Sequence, residues 1–130
     1  MRAPLTAIID LPPEHRSVPT ARRLLSELLG SWAADHYGDD ANLLLSELVT
    51  NVVRHVTSGT KLVLEIHLTG LLLRVAVVDD SPAQPRVADR AGEEVGGHGL
   101  QLVASIADRW GSERHADGKR VWFELARAAS

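Results

Sequence analysis

The sequence predicts an α/β protein of the α+β two-layer kind: a mixed, largely antiparallel sheet with about three helices on one face. Three observations predict it. Two long segments near the start carry leucines and valines at helical spacing, and two β-branched runs joined by Thr69-Gly70 follow them. A short third helical pattern then leads into two final strand patterns around Ala116-Asp117-Gly118. Helices and strands in that order bury each other's apolar faces as two layers. At 130 residues, positions 1–130 read as one domain.

Ala7 to Leu11 reads as a short strand, stopped by Pro12-Pro13. Ser17 is the expected N-cap of the first helix, because Pro19 suits a first turn. Leu24, Leu25, Leu28, Leu29 and Trp32 give that helix its apolar stripe, and Gly38-Asp39-Asp40 is expected to end it and to cap the second helix. The second helix runs from Ala41 to about Thr57, and Ser58-Gly59 turns the chain. Lys61 to Leu68 and Leu71 to Val78 form a hairpin. Asp79 to Gly99 is rich in Pro, Gly and charge and has no periodicity, so it reads as a long functional loop, with a lid from about Arg86 to His98. A third helix from about Leu100 to Asp108 follows, then strands near Trp110 to Arg114 and Lys119 to Leu125.

Composition removes several function classes. A net charge of −3 with mixed signs gives no electrostatic footprint for nucleic acid or an anionic membrane. The absence of cysteine excludes disulfides, thiolate zinc sites and cysteine catalysis. The six histidines form no H-x-x-x-H pair. No basic leader and no stretch approaching the ~20 apolar residues of a membrane span is present, so a cytoplasmic protein is expected.

Three polar clusters carry the chemistry. On the second helix, residues four and seven apart stack, so Glu47, Asn51 and Arg54 share a stripe with His55 at its edge. Leu45, Leu48, Val49, Val52, Val53 and Val56 face the other way. A carboxylate, a carboxamide and a guanidinium in one row supply a base, a neutral oxygen ligand and a phosphate clamp, a set that suits a magnesium–nucleotide site. An ordinary solvated helix face is the plain alternative. Asp79-Asp80-Ser81-Pro82 ends an apolar strand, where an aspartate can accept a hydrogen bond from an exocyclic amine such as that of adenine, or merely make an Asx-turn. Gly96-Gly97-His98-Gly99-Leu100 opens the third helix. Glycines there free the first amides for an anion, and the helix dipole favours phosphate; a lid hinge without ligand is the alternative. Gly118-Lys119-Arg120 is no P-loop, lacking the upstream glycine and the following Ser/Thr. Occurring together in this order, the clusters supply metal ligand, base recognition and phosphate cradle.

Ser46-Glu47-Leu48-Val49-Thr50-Asn51-Val52-Val53-Arg54-His55 resembles the N-box of the GHKL superfamily, the ATPases of the Bergerat fold. Asp79-Asp80-Ser81-Pro82 is similar to its G1 box and Gly97-His98-Gly99-Leu100 to its G2 box. Ser17-Val18-Pro19, Ala21-Arg22-Arg23, Ala107-Asp108-Arg109-Trp110-Gly111 and Gly118-Lys119 with Val121-Trp122-Phe123-Glu124-Leu125 resemble one branch, the single-domain anti-sigma factor serine/threonine kinases of actinobacterial type. The likeness runs over nearly the whole chain. It implies ATP and Mg²⁺ as cofactors, with Asn51 as the Mg²⁺ ligand and Glu47 as the catalytic general base. It further implies Arg54 at the phosphates, Asp79 at the adenine amine, and Gly97, Gly99 and Leu100 closing on the phosphates. Arg22 and Arg23 become candidate partner contacts.

Two positions depart from the pattern. Ser81, followed by Pro82, stands where the G1 box has glycine, and Lys119-Arg120 stands where a threonine often lies near adenine. The short segment before the first helix leaves no room for a histidine-bearing hairpin, and no transducer domain follows, so a complete histidine kinase or a gyrase-like machine is not expected. The resemblance leaves two readings. One is an ATP-dependent kinase that phosphorylates a STAS-type antagonist on Ser/Thr in a partner switch. The other is a non-catalytic module that sequesters a sigma factor or antagonist, with weak or structural nucleotide binding. Family members often pair through the sheet edge and first helix, so a homodimer is an open expectation.

Overall fold

The order of elements is β1 (Leu5–Leu11), α1 (Ser17–Ser31), a 3-10 turn (Asp35–Tyr37), α2 (Gly38–His55), β2 (Leu62–Thr69), β3 (Leu72–Asp79), α3 (Gly97–Ile106), β4 (Arg109–His115) and β5 (Gly118–Ala126). The structure is a computed structural model that describes residues 3–55, 61–80, 97–116 and 118–128, with the backbone alone for 97–100. Expectations for Ser81-Pro82, for most of the long loop, and for Val56 to Gly59 lie outside these residues.

The five strands form one sheet in the order β1-β2-β3-β5-β4, and each neighbouring pair is antiparallel. The expected mixed sheet is thereby corrected to a wholly antiparallel one. The crossover through α3 does return the chain parallel to β3, as β4. The β4–β5 hairpin then lays β5 between β3 and β4, so no parallel pair forms.

Strand alternation decides which face is buried. Leu62, Leu64, Ile66 and Leu68 of β2, Leu73, Val75 and Val77 of β3, and Val121, Phe123 and Leu125 of β5 all lie on one face. Leu25 and Leu29 of α1 and Leu44, Leu45, Leu48, Val49, Val52 and Val53 of α2 complete the core with them. The helices therefore cover one face, as the apolar periodicities predict. The other face carries ion pairs instead. Arg120 donates to both carboxylate oxygens of Glu65 at 2.9 and 3.2 Å, and Arg74 lies 4.1 Å over the Trp122 ring while pairing with Glu124 at 3.1 Å.

Two helix ends differ from expectation for local reasons. Ser17 is the first helical residue of α1 rather than its cap; Arg16 holds the cap position without a side-chain bond. Backbone turns from Pro12 to Ser17 satisfy the free amides, and the Ser17 hydroxyl donates to the Pro12 carbonyl. At its other end α1 stops before Trp32, well short of Gly38. Ala33 takes a left-handed conformation (φ 55°), and the Ala34 amide reaches back to the Leu29 carbonyl at 2.7 Å. This is the geometry of a Schellman end, built on alanine where glycine is usual. Gly38 instead starts α2. Likewise α3 begins at Gly97, not Leu100, so both box glycines are helical.

Candidate functional site

The C-terminal half of α2 presents the first cluster as its periodicity predicts. Glu47 and Asn51 are half-buried, Arg54 and His55 are exposed, and the intervening Leu48, Val49, Val52 and Val53 are buried. Burying those four fixes the rotation of the helix and therefore the direction of the polar stripe. Arg54 and His55 also occupy the last turn, where cations suit the negative end of the helix dipole.

Connectivity brings the three clusters to one end of the sheet. Six residues separate His55 at the end of α2 from Leu62 at the start of β2. Leu62 pairs with Asp79, and Asp79 with Lys119. The opposite end of the sheet holds the Arg109–Glu124 pairing, and α3 enters there, with the Asp108 amide donating to the Glu124 carbonyl at 3.0 Å. The α3 N-terminus, Gly97, therefore points back toward the Asp79 end. At ten residues α3 is about 15 Å long. It packs against α2, which in turn packs on β3 and β5.

Asp79 is in phase with Leu73, Val75 and Val77, so its side chain lies on the helix-covered face, 1% exposed. Lys119, in phase with Val121 and Phe123, lies on the same face and is 6% exposed at its side chain. The Lys119 ammonium donates to Asp79 Oδ1 at 3.2 Å and stands 3.1 Å from Oδ2. Gly118 permits this closeness. A Cβ there would overlap the Asp79 carbonyl oxygen and the Asp80 Cα, so only glycine lets β5 start directly against the end of β3. Asp80, the second aspartate of the motif, is exposed and accepts from the Lys61 amide at 3.0 Å. It pins the entrance to β2, whereas Asp79 is buried on the helix-covered face.

Sequence reasoning missed the Asp79–Lys119 pair. Strand phase was the available signal: residues 119, 121, 123 and 125 share a face, and a lysine among three buried apolar residues needs a buried counter-charge. The sequence groups Arg120 with Lys119 near the base. The structure corrects this, because the next residue along a strand must face the other way. Arg120 lies on the uncovered face, where its hydrogen bonds to Glu65 raise its pKa further above the ordinary range. Leu100 falls in the first turn of α3 with Gly97 and Gly99. Arg22 and Arg23 are exposed on α1.

The donor set fits a nucleotide carrying a magnesium ion. A single carboxamide oxygen on Asn51 is a hard neutral ligand of the kind Mg²⁺ accepts while keeping water and phosphate oxygens around it. The amides opening α3 suit the phosphates. Among the described residues no helix is long and apolar enough to cross a membrane.

No curated protein matches the chain. Among solved structures it is similar to the histidine kinase domain of the blue-light activated histidine kinase EL346 from Erythrobacter litoralis, at a TM-score of 0.55 and 20% identity. That alignment covers 89% of this chain and 61% of the other, so the chain spans little more than three fifths of that domain, and the likeness is one of fold. Residues 11–125 match the family of the histidine kinase-like ATPase domain, from the end of β1 through β5. The match encloses the α2 stripe, Asp79 and the start of α3, the same three pieces that connectivity gathers at one end of the sheet. The chain belongs to the histidine kinase-like ATPase family, and its fold is that of a GHKL ATP-binding domain.

Proposed function

We propose that this chain is a cytoplasmic anti-sigma-factor-like regulator that binds ATP with Mg²⁺ and phosphorylates a STAS-type antagonist on serine or threonine. One observation supports the reading: residues 11–125, which carry Glu47 and Asn51 on α2, Asp79 at the end of β3 and the amides opening α3, match the histidine kinase-like ATPase family. In this reading Asn51 holds the metal, Arg54 and the α3 amides hold the phosphates, and Asp79 orients the base. Bound Mg²⁺ offsets charge on the phosphoryl group in transfer. Glu47, half-buried one helical turn before Asn51, takes the proton of the attacking hydroxyl. The partners are a sigma factor and the antagonist, with Arg22 and Arg23, exposed on α1, as contacts.

The test is transfer of the γ-phosphate from ATP to a STAS-domain protein. Glu47→Ala lowers the transfer rate by about 10²–10⁴-fold, the range for general-base removal, while nucleotide affinity survives. Undiminished transfer by that variant rules out the base role. The Asp79–Lys119 ion pair favours a second reading, a sequestering module whose nucleotide binding is weak or structural. Under that reading Glu47→Ala leaves partner affinity and signalling unchanged.

A further inference from the structure

The carboxylate assigned to the base is already engaged from within the chain. Lys119 Nζ lies 3.2 Å from Asp79 Oδ1 and 3.1 Å from Oδ2, so the ammonium faces both oxygens at once. Both residues are among the few buried charged groups of the described chain. The register holds them opposite each other, Asp79↔Lys119, and the close approach allowed by Gly118 fixes that register at the end of β3. An exocyclic amine of a purine brings a neutral N–H to this carboxylate. That bond is charge-assisted through its acceptor alone, whereas the ammonium adds an opposite charge to the hydrogen bond and is the stronger partner.

Resting on the proposed nucleotide site, we infer that Lys119 is an internal competitor for the base-recognising carboxylate and thereby sets both the affinity for adenine nucleotides and the discrimination between purines. With the ammonium in place, an adenine amine gains little at Asp79 and meets a second donor beside it. A 6-oxo purine meets a donor where its own group is an acceptor. The chain as it stands therefore distinguishes ATP from GTP poorly. Removing the cation takes away this competitor at Asp79 and shifts preference toward adenine. Lys119 acts through Asp79, as a positioning residue for the base.

The experiment is calorimetric titration of the whole chain with Mg²⁺–ATP and Mg²⁺–GTP, in the parent, K119M, K119R and N51A, with thermal unfolding of each protein recorded alongside. K119M binds ATP at least about tenfold more tightly than the parent, a factor equal to roughly 1.4 kcal/mol. GTP, which loses the donor facing its 6-oxo group, binds K119M no more tightly than the parent, and K119R, which restores the cation, returns toward the parent. K119Q removes the charge while keeping a hydrogen-bond donor, and carries the same expectation should K119M not fold. A purely structural ion pair lowers the unfolding midpoint without moving the ATP to GTP ratio. Binding that is lost in N51A but unchanged or weakened in the charge-removing variants overturns the inference and leaves the nucleotide site standing. No binding of either nucleotide by any variant overturns the site itself, and the inference with it.

Discussion

At the scale of single residues, the chain separates groups that hold the fold from groups that serve the site. Tyr37 belongs to the first kind. Its hydroxyl donates to the Leu71 carbonyl and lies 3.2 Å from that of Arg127, joining the turn before α2 to the ends of β3 and β5. Burial raises the phenol's pKa. Tyr37→Phe removes this hydroxyl bridge and costs about 0.5–1.5 kcal/mol in urea unfolding. Asp108 lies close by, with the Ala126 amide donating to it at 2.7 Å and Arg127 at 2.8 Å, and these bonds hold its carboxyl below the ordinary 3.8. A carboxyl depressed in the folded state contributes fully above its unfolded value and loses that contribution as pH falls through the folded value. Stability should thus fall below about pH 4, and Asp108→Asn should flatten that acid limb. Because the side chain is 48% exposed, solvent screening keeps the effect within about 1 kcal/mol.

At the scale of elements, the helices and strands were legible because their apolar periodicities are strong, and their ends were less so. The α2 stripe could be read from Glu47, Asn51 and Arg54 alone, since seven buried neighbours on one face leave the helix a single rotation. The end of α1 could not, because its left-handed residue is Ala33 and sequence reading looks for glycine. That substitution of alanine for glycine predicts a gain. Ala33→Gly removes a left-handed Cβ penalty of roughly 1–2 kcal/mol, offset in part by the entropy of glycine, and should raise the urea midpoint. The reverse holds at Gly118. Gly118→Ala drives a Cβ into the Asp79 backbone and should destabilise by about 1–3 kcal/mol, with loss of nucleotide binding as the β3–β5 end opens.

For the whole molecule, a single core joins both layers, with Phe123, Leu25, Leu45, Leu64 and Leu73 among its fully buried side chains. The candidate site is a rim of this core. Its parts come from four elements far apart in sequence, and no local pattern shows that they meet. The family resemblance made the meeting legible, and the order of strands explains it, because β5 inserts beside β3 and brings Lys119 to Asp79. That pairing was not legible, being set by register rather than composition. Since the α2 stripe rests on the same core as the sheet, Phe123→Ala should lower stability by about 3–5 kcal/mol and weaken nucleotide binding only through the folded fraction.

The central claim is that Asn51, Asp79 and the start of α3 form one magnesium–nucleotide site. The measurement that tests it most directly is calorimetric titration with ATP, with and without Mg²⁺, in the parent and in Asn51→Ala. The account predicts binding that depends on Mg²⁺ and disappears in the variant while its unfolding curve stays that of the parent. Binding indifferent to both the metal and Asn51, or no binding at millimolar nucleotide, would contradict it.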